Sequence, residues 1–160
     1  MIKHRQKIII NSDIYKVWFF IIDLSRSLIF DKYYRKIILD SNYIVNDKLK
    51  FNVSAKYFSL SQLNARVIKS NAPKEITLQF KGETKKVYSH KKTFKIEPLN
   101  DQTILHYCNE GTFNSKYYDV LFYYLIKSAN TNEIKYIKKA IESSDTYYNS
   151  HQLRAISNYK

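Results

Sequence analysis

The chain has 160 residues, enough for one domain that buries roughly two-thirds of its unfolded surface, and a formal net charge of +13. Its single cysteine, Cys108, excludes an internal disulfide, and the apolar run at 17–22 is far short of the roughly 20 residues a membrane span needs, which excludes a transmembrane helix. The opening MIKHRQKIII is too short and too charged for a secretory signal, so a cytoplasmic protein is expected.

Residues 2–10 alternate weakly and end in three isoleucines, predicting a first strand at or near a sheet edge with Ile8 and Ile10 on its buried side. Ser12 or Asp13 then caps a helix by accepting a hydrogen bond from its first-turn amides, and Ile14, Val17, Trp18, Ile21 and Ile22 form that helix's apolar face. Asp23-Leu24-Ser25 leads into a second short helix carrying Leu28 and Ile29. From Lys36 the period changes to two. Ile37-Ile38-Leu39 begins a strand, Asn46-Asp47 supplies a turn, and Leu49, Phe51, Val53, Ala55 and Tyr57 alternate with polar residues. Leu63, Ala65 and Val67 mark the next strand, Asn71-Ala72-Pro73 a turn, and Ile76, Leu78 and Phe80 a further strand ending at Gly82. Phe94 and Ile96 point inward in the following strand, and an unbroken pleat brings Tyr88 and His90 with them. Pro98 is expected at the next turn. Thr103, Leu105, Tyr107 and Asn109 share a face of the last strand, closed by Glu110-Gly111.

Residues 118–144 read as one long amphipathic helix. Ile126, Ala129, Ile134, Ile137, Ala140 and Ile141 recur at three- and four-residue steps, while Lys127, Glu133, Lys135, Lys138, Lys139 and Glu142 mark a solvated side. Neither Gly nor Pro interrupts the run, so a helix of roughly six turns or more is expected. The architecture is α+β, a curved antiparallel sheet of about seven strands wrapped round a long C-terminal helix, with two short helices after the first strand. Residues 1–146 form a single domain, and 147–160 a polar tail or frayed helix end. Small side chains at Ala55, Ala65 and Ala129 predict a cavity between sheet and helix.

The segment from Ser12 through Val17-Trp18 to Asp23 resembles the opening of the START-like, or SRPBCC, superfamily. The stretch F-K-I-E-P-L-N-D-Q-T-I-L-H-Y at 94–107 resembles its penultimate hairpin. The resemblance implies a helix-grip fold, shared by polyketide cyclases, the birch-pollen allergen group, lipid-transfer domains and chaperone co-activators, and with it a hydrophobic ligand cavity. Many relatives carry glycine before the third strand where this chain has Asn46-Asp47, a turn that asparagine also accommodates.

Enzymatic signatures are missing: no Gly-rich phosphate loop, no spaced cysteines, no His-x-x-x-His helix and no serine elbow, so neither metal nor cofactor is expected. The candidate ligand-binding residues are Phe51, Val53, Leu78, Phe80, Phe94 and Leu105 facing Ile126, Ile134 and Ile137, with Tyr57, Tyr88, His90, Tyr107 and Asn109 orienting a polar group. His90 is the first suspect for any cyclase- or isomerase-like proton transfer. His4 and His151 are expected in solvent, His106 on the outer face, and Glu110 facing solvent.

The expected partner is thus a hydrophobic or amphipathic small molecule or lipid. The lysines are scattered, with short knots at Lys85/Lys86, Lys91/Lys92 and Lys138/Lys139, and read first as solvated surface. An RNA- or ribosome-binding module using that basic surface is the alternative, and a chaperone-type interaction domain another. Peripheral contact with anionic lipid through the lysine-bearing helix remains compatible, as does a monomer or homodimer. Tyr117, Tyr118, Phe122, Tyr123 and Tyr124 either gate the cavity mouth, stack on bases, or pack the helix.

Overall fold

The computed structural model describes residues 1–22, 34–39, 51–55, 63–82 and 88–143. Strand β1 (Ile2–Ile10) leads into α1 (Ile14–Ile22), followed by β2 (Tyr34–Leu39), β3 (Phe51–Ala55), β4 (Leu63–Asn71), β5 (Glu75–Gly82), β6 (Ser89–Leu99), β7 (Gln102–Thr112), α2 (Lys116–Leu121) and α3 (Tyr123–Ser143). The order of strands and helices follows the sequence pattern, with fewer strands in the main sheet of the described residues than the seven expected. Among the described residues five strands pair in the order β1-β7-β6-β5-β4, and β2 pairs with β3 in a separate ladder. All these pairings are antiparallel, and β1 lies at the sheet edge. The second short helix at Leu28 and Ile29, the Asn46-Asp47 turn, Tyr57 and the polar tail lie outside the described residues.

Local chemistry explains the boundaries. Asp13 caps α1, its Oδ1 accepting from the amides of Tyr15 and Lys16 at 2.9 and 3.0 Å. Ser12 is tied down differently, its carbonyl accepting from the Thr103 hydroxyl at 2.7 Å. Pro98 sits inside β6 opposite Thr103, so the following turn is made by Asn100, whose φ of 52° is left-handed, and Asp101. Lacking an N–H matters little one residue from the strand's end.

The long helix is interrupted at its start, against expectation. Residues 116–121 form α2, Phe122 stands between, and α3 runs 21 residues. The tether is Asp119, which accepts from the Phe113 amide and the Thr112 hydroxyl, both at 2.8 Å, and from the Met1 ammonium at 2.6 Å. Phe122 adds a ring contact with Phe113 at 5.2 Å. Tertiary anchors at the end of β7 thus accompany a break in a segment that helix propensity alone would have kept continuous.

The core lies between sheet and helices. Ile10, Ile76, Leu78, Phe80, Phe94, Ile96 and Leu105 pack with Val17, Trp18, Phe20 and Ile21 of α1 and Ile134, Ile137 and Ile141 of α3. The far end of α3 is pinned to β1, where Lys138 donates to the Ile9 carbonyl and Glu142 accepts from the Asn11 amide, each at 2.8 Å.

Candidate functional site

Antiparallel register decides which side chains stand abreast on the face covered by α3. One row reads Ile2, Gly111, His90, Phe80; the next His4, Asn109, Lys92, Leu78; the third Gln6, Tyr107, Phe94, Ile76. Beyond them come Ile8, Leu105 and Ile96, purely aliphatic. Lys92, Asn109 and Tyr107 of these rows meet Asn130 and Glu133, one helical turn apart on α3.

At the centre Lys92 donates to Glu133 Oε1 at 2.7 Å, with side-chain exposures of 1% and 3%. Tyr107 donates to Glu133 Oε2 at 2.9 Å and lies 3.0 Å from Asn130 Oδ1. Asn109 donates to the same Asn130 oxygen at 2.8 Å. This leaves the buried Asn109 Oδ1 and Asn130 Nδ2 without partners. The two amides face each other, so turning both over exchanges their roles and still leaves one NH₂ and one carbonyl unpaired. Burial, then the Glu133 carboxylate, push the Tyr107 phenol well above its ordinary pKa, which keeps it a donor.

His90 stacks between Phe80, at 4.6 Å, and Tyr88, at 4.9 Å. Its Nδ1 lies 3.0 Å from the Tyr88 carbonyl, which only accepts, so Nδ1 carries the proton. Burial and then the Lys92 charge push the imidazole down to about 3, so near neutrality it is an uncharged stacking group and a poor proton acceptor. Tyr88 is raised by burial and then by Asp119, with Lys92 opposing. Its ring continues to Phe113 at 5.0 Å and from there to Phe122, a ladder that reaches the α2–α3 junction. Gly111 permits this stacking, because a Cβ there would lie 2.5 Å from His90 Cβ and 2.8 Å from Tyr88 Cζ.

Of the residues expected at a site, Tyr107, Asn109, His90, Phe80, Leu78 and Phe94 are buried on this face, Tyr88 is half-buried against it and Ile126 half-buried on α3. Leu105 and Ile134 belong to the packed core. Phe51 and Val53 lie on β3, their side chains outside the described set, as is all of Tyr57. Glu110 is paired with Lys3 at 3.0 Å, and His106 lies 3.2 Å from Glu97.

Three placements reverse the sequence expectation. Glu133 faces inward, Lys92 leaves its surface knot for the interior, and His4 is buried beside Tyr107, 6.4 Å away between rings. The signals were present: Lys92 falls between His90 and Phe94 in the pleat, His4 shares the parity of Ile8 and Ile10, and Glu133 precedes Ile137 by four. At these positions the charge of the side chain masks the period of the backbone.

Exposed apolar side chains gather at the helix junction, where Tyr117, Val120 and Tyr124 are 71%, 75% and 78% exposed. Phe122 is half-buried. Among the described residues no helix is long and apolar enough to cross a membrane.

Neither a family model nor a curated protein sequence matches the chain. Solved structures do. A conserved protein from Geobacillus kaustophilus superposes with a TM-score of 0.66 at 18% identity, over 89% of this chain and 97% of its own. A protein from Thermus thermophilus gives 0.69 at 9% identity, over 90% and 99%. Norcoclaurine synthase from Thalictrum flavum, in complex with dopamine and hydroxybenzaldehyde, gives 0.65 at 9% identity, over 90% and 88%. At such identities the likeness shows the fold alone, an α+β helix-grip.

Proposed function

We propose that the sheet and α3 hold a hydrophobic or amphipathic small molecule, lipids included, whose polar group is oriented at the buried cluster of Lys92, Glu133, Tyr107, Asn109 and Asn130. The observation that carries this reading is the cluster itself, buried on a face that is lined beyond it by the aliphatic Ile8, Leu105 and Ile96. Burying a lysine and a glutamate together costs desolvation that well-packed aliphatic residues would avoid, so stability alone is a poor reason to keep them. The unpaired amide NH₂ and carbonyl add donor and acceptor capacity at the same place. The ring ladder from Phe80 to Phe122 offers an apolar path beside it, and burial there drives binding at about 25 cal/mol per Å². The phenolic compounds in the norcoclaurine synthase structure belong to the same amphipathic class, which supports the choice of guest.

Native mass spectrometry of the purified protein, repeated after denaturing the sample, tests this. A mass excess released as a small organic molecule is the expected result. A bare chain that also fails to bind an apolar fluorophore, or a chain carrying only oligonucleotide fragments, would overturn it.

A further inference from the structure

The opposite face of the sheet carries a separate feature. Register places Lys3, Glu110 and Lys91 in one outward row and Lys7, His106 and Lys95 in another, with Arg5, Cys108 and Thr93 between them. The middle row is short-chained on β7 and β6, so the long side chains of the outer rows stand above it as two banks. The result is an open trough of about 600 Å³ that crosses the strands. The banks are four residues apart along each strand, roughly 13 Å at 3.3 Å per residue.

Its charge is one-sided. Lys3 is satisfied by Glu110, and His106 lies against Glu97. Arg5, Lys7, Lys91 and Lys95 make no ion pair among the described residues. Lys3, with Lys91 and Arg5 adding, already holds the Glu110 carboxyl below its ordinary range, a sign of the positive field there.

We propose that this trough binds the sugar–phosphate backbone of single-stranded nucleic acid through Arg5, Lys7 and Lys95, which line it, and Lys91, which register sets beside Glu110 at its rim. The chemistry is charge neutralisation of successive phosphates, with the strand lying between the two banks. A duplex is wider than the space between them. The floor of Thr93 and Cys108 presents no large apolar side chain for a bilayer and no ring for base stacking, and the His106 ring on the bank lies against Glu97, so backbone contact without sequence preference follows. The trough is on the face away from the ligand cluster and does not depend on it.

The test is titration of a fluorescein-labelled oligouridine by anisotropy over a salt series. With four phosphates neutralised, affinity should fall about 50-fold between roughly 50 and 200 mM salt, and only about 7-fold in the Lys7→Gln/Lys95→Gln variant, which keeps two. A charge-matched Lys135→Gln/Lys139→Gln variant, altered on the exposed face of α3, should keep the parental slope. Absence of binding, equal loss of slope in both variants, or Lys7/Lys95-dependent binding to phosphatidylglycerol vesicles in place of the oligonucleotide would each overturn the proposal. All four positions are exposed, so the variants should fold, and an unchanged melting temperature checks it.

Discussion

The same strands and the same helix build two unlike ends of one interior. At one end Ile10, Ile96 and Leu105 meet Val17, Trp18 and Ile21 of α1 and Ile137 and Ile141 of α3, and the buried polar Thr103 beside Ile10 is satisfied by the Ser12 carbonyl. At the other, His4, Asn109 and Lys92 stand abreast with His90 in the next row, and Lys92 and Asn109 bond to Glu133 and Asn130 of α3. The difference follows coverage: α1 packs on β6, β7 and α3, and its bulky face closes the aliphatic end. The polar end has no such cover from α1 and relies on hydrogen bonds and stacked rings instead. Packing at the first end is non-directional and tolerant; bonding at the second is directional, so each partner depends on the other's presence.

That contrast makes measurable predictions. Lys92→Met or Glu133→Leu alone should cost about 3–5 kcal/mol in urea denaturation, because each strands a buried charge, whereas the double variant should recover most of the loss. If the double variant is as unstable as the singles, the pair is not isolated from water as described. Leu105→Ala at the aliphatic end should cost about 2–5 kcal/mol, and no partner substitution should rescue it.

The polar end should also make the protein acid-labile. His90 is lowered from 6.5 to about 3, so below pH 6.5 the unfolded chain binds a proton that the folded chain refuses until about pH 3. Stability therefore rises with pH across that window. The contribution lost between pH 6.5 and pH 5 is about 2 kcal/mol. His90→Phe, which keeps a flat ring between Phe80 and Tyr88, should remove this component of the pH profile; an unaltered profile would mean the imidazole is reached by water. Smallest is Asp13→Ala, which removes the cap of α1 and should cost about 1 kcal/mol without touching the polar cluster or its pH response.

Much of the fold could be read from period. Alternation placed Ile76, Leu78, Phe80, Phe94, Leu105, Tyr107 and Asn109 on one face, and the 3.6-residue repeat placed Ile134, Ile137 and Ile141 on the helix's inner side. The same parity turns His90 and Asn109 inward. What period could not supply was the partner. Lys92 and Glu133 are 41 positions apart, and each alone looks like solvated surface; only the docking of α3 on β6 makes their burial tolerable by pairing them. The break at Phe122 and the division into five-strand and two-strand sheets belong to the same kind of decision, made by the Asp119 tether and by the pairing of β2 with β3. Local sequence thus determined which way each side chain faces, because that is a property of the backbone repeat. Tertiary structure alone decided which charges could leave water, because that depends on what lies opposite.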